Sequence, residues 1–158
     1  MTTPANVTFR IRRYDPASGA PPAWEDVTIP YAAGMTVLDG LRTIKETRLP
    51  SLAWRSSCRM GVCGSCGMFI NGHPRLACNT QISELGTDLV TVAPLPNFAI
   101  IRDLVPDLRP MFDAHAALKP HIIRDDASEM YEPTGEDART PHDLEQFVQF
   151  TSCIKCGC

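Results

Sequence analysis

The stretch Arg55-Ser-Ser-Cys58-Arg-Met-Gly-Val-Cys63-Gly-Ser-Cys66-Gly67 decides the fold of this 158-residue chain. Its three cysteines have the spacing C-x4-C-x2-C, and a fourth, Cys78, follows after eleven residues. The chain has 7 cysteines in all, an odd number that fits complete disulfide pairing badly. The sequence shows no signal peptide and no long apolar segment, so we expect an intracellular, reducing compartment, where disulfides are rare. Metal binding is therefore the expected role of the cysteines.

The first four cysteines predict a [2Fe–2S] site, with Cys58, Cys63, Cys66 and Cys78 as its ligands. C-x4-C-x2-C followed by a more distant cysteine is the spacing of plant-type [2Fe–2S] proteins. Gly61, Gly64 and Gly67 permit a positive φ and a close approach of backbone N–H groups to the sulfurs. Structural zinc sites usually have two well-separated C-x2-C knuckles, and this stretch has one, so zinc remains the less favoured alternative.

Two arginines flank the first ligand of this stretch. If Arg55 and Arg59 point toward the cluster, their charge would stabilise its reduced form and raise its potential.

The residues around the cysteine loop predict a mixed sheet with one helix packed across it. Alternating apolar residues predict strands over 7–14, 24–31 and 88–93, and Asn71-Gly72 predicts a hairpin turn between strands 67–70 and 75–78. Thr36 is the candidate N-cap of a helix that ends at Pro50. This order is the β-grasp plan of plant-type ferredoxins, an α+β fold that would span residues 1–95.

Residues 96–158 are predicted to be helical but incomplete as a domain. A first helix is expected from the apolar spacing of Ile100, Ile101, Leu104 and Leu108, broken by Pro106 and Pro110. Then follow a short helix over 113–118, an exposed connector over 121–140, and a helix that starts at Pro141 behind an N-cap at Thr140. The apolar face of this last helix would consist of Leu144, Phe147 and Val148. The segment has too few apolar residues to close a core of its own.

In its motifs the chain resembles the iron–sulfur subunit of succinate dehydrogenase and fumarate reductase. The resemblance is carried by Arg55–Gly67, Leu76-Ala-Cys78, Pro94-Leu-Pro-Asn97, Ile101-Arg-Asp-Leu-Val105 and Cys153-Ile-Lys-Cys-Gly157. It implies a β-grasp domain with an all-cysteine [2Fe–2S] site, followed over residues 96–158 by the start of a helical ferredoxin domain. That second domain would hold [4Fe–4S] and [3Fe–4S] clusters in the full-length protein.

The second group of cysteines matches the beginning of the family's C-x2-C-x2-C-x3-C-P signature. The resemblance assigns Cys153 and Cys156 as the first two [4Fe–4S] ligands and places the third at position 159. Cys158 falls where some members carry a cysteine that is not a ligand. We therefore expect the chain to be a fragment that lacks the later ligands and the quinone-site residues. The alternative is a natural short protein that uses these three cysteines as a terminal metal or thiol site.

The resemblance implies an electron-transfer subunit with no catalytic residue for succinate of its own. It would relay electrons between a FAD-containing flavoprotein subunit and quinone at a membrane-anchor subunit, as part of the respiratory chain and the tricarboxylic acid cycle. It would lie on the cytoplasmic side of the inner membrane, held there through its partner subunits. The net charge of −3 argues against a strongly basic nucleic-acid binder.

Two other classes of electron-transfer protein fit the sequence less well. A stand-alone [2Fe–2S] ferredoxin-like carrier needs no segment such as 97–158. The small subunit of a molybdenum hydroxylase needs a second four-cysteine motif, and only three further cysteines remain here.

Overall fold

The computed structural model describes residues 6–119 and 141–158. The chain divides into two compact units. The first consists of Met1–Leu108 together with Lys155–Cys158, and the second of Arg109–Ile154.

A five-stranded mixed sheet forms the first unit. Its strands are β1 (Asn6–Arg13), β2 (Ala23–Pro30), β3 (Gly67–Ile70), β4 (His73–Leu76) and β5 (Leu89–Ala93). They lie in the order β2-β1-β5-β3-β4, with β1 and β5 parallel and the other neighbours antiparallel. Val7, Phe9 and Ile11 alternate along β1 and are completely buried, which confirms the strand predicted from their spacing. The predicted mixed sheet is therefore present.

One helix, α1 (Val37–Thr47), packs on this sheet. Thr36 caps it in a capping box, because its Oγ1 accepts from Asp39 N and the Asp39 carboxylate accepts from Thr36 N. Gly40 faces the sheet where a Cβ atom would collide with the ring of Phe9, so the close approach requires glycine. The helix ends at Thr47, three residues earlier than the predicted end at Pro50.

The β3–β4 hairpin has the predicted turn but a different second strand. Asn71 (φ 46°) and Gly72 (φ 81°) both have a positive φ, as a two-residue turn with φ > 0 at both positions requires. Ile70 therefore pairs with His73, and β4 covers residues 73–76 rather than the predicted 75–78. Cys78 consequently lies just beyond the strand.

The helix predicted from Ile100 to Leu108 is wrong. The chain forms β6 (Ile100–Arg102) and β7 (Val105–Pro106), which pair antiparallel around Asp103 (φ 43°). Pro106 lacks the N–H that a helix would need and disfavours helical geometry at the residue before it. Leu104 is buried while Ile101 is exposed, so the hairpin places one leucine into the core.

The carboxylate of Asp103 joins three parts of the first unit. It is 1% exposed and accepts hydrogen bonds from Arg13 Nε (2.9 Å), Tyr14 N (3.1 Å) and Ala53 N (2.9 Å). Leu104 N donates to Ala53 O (3.2 Å). The β6–β7 hairpin thus holds both backbone polar groups of Ala53, five residues before the first cysteine of the loop.

The second unit contains two helices, α2 (Arg109–Ala117) and α3 (Pro141–Thr151). α2 begins before the predicted 113–118 because proline is tolerated in the first helical turn, where Pro110 stands. α3 begins at Pro141, as predicted. The expected connector over 121–140 and the Thr140 cap lie outside the described residues, as do the side chains of Leu144 and Phe147, and Val148 is half exposed. None of the helices in the described ranges has the length and apolar character needed to cross a membrane.

Candidate metal centre

Cys66 and Cys78 are brought together by the β3–β4 hairpin. Cys66 immediately precedes β3, Cys78 follows β4 by two residues, and Ala77 N donates to Cys66 O (3.1 Å). As a result the two Sγ atoms lie 3.3 Å apart. Two thiolates bound to one tetrahedral ion at about 2.3 Å stand about 3.8 Å apart, so this pair needs only a small adjustment to share a metal ion.

Cys58 and Cys63 form a second pair on the loop. Cys63 N donates to Cys58 Sγ (3.2 Å), and Cys58 N donates to Cys63 Sγ (3.5 Å). Within residues 6–119 and 141–158, no group of three or more His, Cys, Asp or Glu side chains is arranged around a single ion. Two pairs of thiols are the donor set of a cluster that contains two tetrahedral irons, so the four cysteines fit a [2Fe–2S] group.

Backbone N–H groups of the loop point at the sulfurs. Cys58 Sγ accepts from Met60 N (3.5 Å) and Val62 N (3.4 Å), and Cys78 Sγ accepts from Gly61 N (3.3 Å). The loop can turn its N–H groups inward because several of its residues adopt a positive φ: Arg59 (59°), Gly61 (76°) and Gly64 (73°). A concave array of N–H groups binds negative charge, here the charge of the thiolates.

The site has a buried side and an exposed side. Cys66 is 3% exposed, and burial raises the pKa of its thiol to about 11. Cys63 is exposed, and its hydrogen bond with Ser65 (Oγ to Sγ 3.1 Å) lowers the pKa of its thiol to about 6. Among the described residues, neither Arg55 nor Arg59 makes a side-chain hydrogen bond to a cysteine sulfur, so the suggested contribution of these charges has no direct contact behind it.

Gly67 allows another segment of the chain to come close. The sequence predicted that Gly67, like Gly61 and Gly64, is a glycine because it adopts a positive φ. The φ of Gly67 is not positive, so this prediction is wrong for Gly67. A Cβ atom on Gly67 would lie 2.7 Å from the carbonyl oxygen of Cys156 and 3.1 Å from Cys158 Sγ. The glycine is therefore required by the approach of residues 155–158 to the start of β3.

The second group of cysteines is distributed over both units. Cys153 belongs to the second unit, whereas Cys156 and Cys158 belong to the first. Cys158 N donates to Cys156 Sγ (3.4 Å), and partial desolvation together with the neighbouring Cys156 raises the pKa of the Cys158 thiol, although the residue as a whole is exposed. The assignment of Cys153 and Cys156 as [4Fe–4S] ligands stays a prediction.

Two contributions to the site escaped the sequence reasoning. The hydroxyl of Ser65 contacts Cys63 Sγ. The position of this serine between two expected ligands could have indicated such a contact from the sequence. The Asp103 carboxylate holds Ala53 from 50 residues away, and no local pattern could indicate that contact.

Comparisons with known proteins identify the family of the domain that contains these four cysteines. The profile of the 2Fe-2S iron-sulfur cluster binding domain matches residues 8–113. The chain is 39% identical to the fumarate reductase iron-sulfur subunit of Mycobacterium tuberculosis over 95% of its length, and 36% identical to the succinate dehydrogenase iron-sulfur subunit of Coxiella burnetii over 96%. It spans 60% and 63% of the lengths of these two relatives.

A solved structure is also similar. A chain of the Mycobacterium smegmatis Sdh1 complex in the apo form matches 96% of this chain with a TM-score of 0.78 and 34% identity, and 60% of that chain is covered.

Proposed function

The chain belongs to the 2Fe-2S iron-sulfur cluster binding domain family, and from that premise we propose that it carries electrons in a succinate dehydrogenase or fumarate reductase complex. The proposed ligands of its [2Fe–2S] cluster are Cys58, Cys63, Cys66 and Cys78. The observation that carries the proposal is the arrangement of these four thiols as two pairs inside a loop whose N–H groups point at the sulfurs.

The bound cluster supplies reversible one-electron storage, and the residues of the chain set its position and its energy. The four cysteines would bind the irons of the cluster through their thiolates. The N–H groups of Met60, Gly61 and Val62 stabilise the negative charge on those thiolates. Burial of Cys66 excludes water from one side of the site. The exposed side, with Cys63, leaves one face open for electron exchange with a partner protein.

The wider assembly is part of the proposal. A FAD-containing subunit would exchange electrons with this site, and quinone would lie at a membrane-anchor subunit, which would hold the chain peripherally on the cytoplasmic side of the inner membrane. The domain layout would be 1–95 for the β-grasp domain and 96–158 for the start of a helical ferredoxin domain. Cys153 and Cys156 would begin its [4Fe–4S] site, and a [3Fe–4S] cluster would follow in the full-length protein. The similarity to the two curated subunits and to the Sdh1 complex supports this assignment.

Anaerobic reconstitution with iron and sulfide tests the cluster. We expect a coloured protein that binds two irons and two sulfides, and whose electron paramagnetic resonance signal appears on one-electron reduction. Cys66→Ser and Cys78→Ser should lose or degrade the cluster, whereas Cys158→Ser should retain it. A colourless product that binds one zinc ion would overturn the proposal.

A second experiment tests the assembly. The tagged chain, expressed with the flavoprotein subunit of its own genome, should co-purify with bound FAD. A loaded chain that stays monomeric and only exchanges electrons transiently would favour the stand-alone carrier instead.

A further inference from the structure

A hydroxyl group reaches one of the proposed cluster ligands. Ser65 lies between Cys63 and Cys66, and its Oγ is 3.1 Å from Cys63 Sγ. The other contacts to the sulfurs of Cys58, Cys63 and Cys78 come from backbone N–H groups or from another cysteine. In the described part of the chain Ser65 is thus the one hydroxyl that touches a ligand sulfur, and unlike the N–H groups it can be removed by substitution.

The direction of this hydrogen bond follows from the chemistry of the bound sulfur. A cysteine that binds iron is a thiolate and has no proton to give, so the hydroxyl must donate. A donor to an anionic acceptor gains strength as the negative charge on that acceptor increases. One-electron reduction brings the charge of the cluster and its four thiolates from −2 to −3, without any bond to a proton.

We propose that the Ser65 hydroxyl tunes the cluster by donating a hydrogen bond to Cys63 Sγ, which stabilises the reduced state and raises the reduction potential. This inference rests on the proposed function, because it requires a [2Fe–2S] cluster at the site. Hydrogen bonds to ligand sulfurs are one of the factors that set the potentials of such clusters. Ser65 thereby acts on the driving force of electron transfer and not on the binding of the cluster.

The size of the effect is limited by exposure of the ligand. Cys63 is exposed, so water can replace part of the lost hydrogen bond when the hydroxyl is removed. We therefore expect Ser65→Ala to shift the electron-exchange equilibrium toward the oxidised form by about three- to tenfold. For a one-electron couple this corresponds to a midpoint potential about 30 to 60 mV more negative.

The test is a mediated potentiometric titration of the full, cluster-loaded chain, followed by electron paramagnetic resonance, for four proteins. They are the unsubstituted chain, Ser65→Ala, Ser65→Thr, which keeps a hydroxyl, and Ser57→Ala, the matched control. Ser57 is an exposed serine of the same loop whose hydroxyl makes no hydrogen bond with a described residue. Iron and sulfide content is measured in parallel. We expect unchanged content in all four proteins, a lower potential only in Ser65→Ala, and restoration of the potential by Ser65→Thr.

The failures of the inference and of the proposed function are distinguishable. A cluster present in Ser65→Ala with the potential of the unsubstituted chain overturns the inference alone. An equal shift in Ser57→Ala also overturns it, because the shift would then not depend on the contact with Cys63. If the unsubstituted chain binds no [2Fe–2S] cluster, the proposed function and the inference fall together. Should Ser65→Ala lose the cluster, the inference is overturned in favour of a structural role for the hydroxyl.

Discussion

Asp103→Asn should lower the free energy of unfolding by about 3 kcal/mol, whereas Asp26→Asn should leave it within measurement error. Both carboxylates pair with an arginine at a similar distance, 2.9 Å for Asp103 with Arg13 and 2.7 Å for Asp26 with Arg10. Their burial differs, because the side chain of Asp103 is 1% exposed and that of Asp26 is 46% exposed. The two substitutions therefore compare a buried carboxylate that accepts from an arginine and two backbone N–H groups with an exposed carboxylate that pairs with an arginine.

The magnitude follows from the hydrogen bonds that an asparagine cannot make. In Asp103, Oδ1 accepts from Arg13 Nε and Tyr14 N, and Oδ2 accepts from Ala53 N. An asparagine has only one acceptor oxygen, so in its better orientation its NH2 group faces the N–H of Ala53. One buried unsatisfied donor costs about 1–3 kcal/mol, and the loss of charge on the bond to Arg13 adds about 1 kcal/mol.

Two measurements on the cluster-loaded chain check this prediction. Urea denaturation followed by circular dichroism gives the free energy of unfolding, and native-state hydrogen exchange gives the opening of the Ala53 amide. A loss of 3 kcal/mol corresponds to exchange about a hundredfold faster at Ala53. If Asp103→Asn costs less than about 1 kcal/mol, or costs no more than Asp26→Asn, the buried carboxylate does not hold the hairpin as we infer.

Three further predictions use other contacts. Gly67→Ala should displace residues 155–158, because its Cβ would lie 2.7 Å from a carbonyl oxygen there; trypsin should then cleave after the lysine of that segment faster than in the unsubstituted chain, and equal rates would contradict the contact. Thr36→Ala removes the hydrogen bond from Asp39 N that caps α1, and it should lower the free energy of unfolding, measured by urea denaturation, by about 1 kcal/mol. An unchanged free energy of unfolding would mean that water replaces the cap at Asp39 N. The hydrogen bond with Arg10 lowers the pKa of Asp26 below its ordinary value, and a carboxyl-carbon NMR titration should show the lowered pKa. Arg10→Ala should restore the ordinary value, and an unchanged titration would contradict the contact. Because both side chains are nearly half exposed, the linked stabilisation, which is present above the ordinary pKa and is lost as the pH falls through the lowered one, stays within the error of urea denaturation.

Much of the sheet could be predicted because its signals are local. The alternation of Val7, Phe9 and Ile11 has the period of a strand, and Thr36 with Asp39 forms a capping box within four residues. The four-cysteine spacing likewise indicated a cysteine loop, in which the structure forms the pairs Cys58/Cys63 and Cys66/Cys78. In each case the residues that decide the conformation are neighbours in the chain.

The segment after the sheet could not be predicted in the same way. The spacing of Ile100, Ile101 and Leu104 suits a helix as well as a hairpin, and only tertiary contacts distinguish them. Asp103 is bound by Arg13, which lies 90 residues away, and Gly67 is required by a segment near position 156. Such contacts leave no periodic trace, so the sequence could not indicate which distant residues they join.

The location of Gly157 has a consequence for the order of folding. Gly157 (φ 78°) lies against Leu95, Phe98 and Leu108, within 3.1 to 3.4 Å of where its Cβ would be. During synthesis these three residues leave the ribosome well before Gly157, and so do the strands of the sheet and the cysteine hairpin. The contacts of residues 155–158 with Gly67 can therefore form only after the four cysteines from Cys58 to Cys78 and the β3–β4 hairpin have been synthesised.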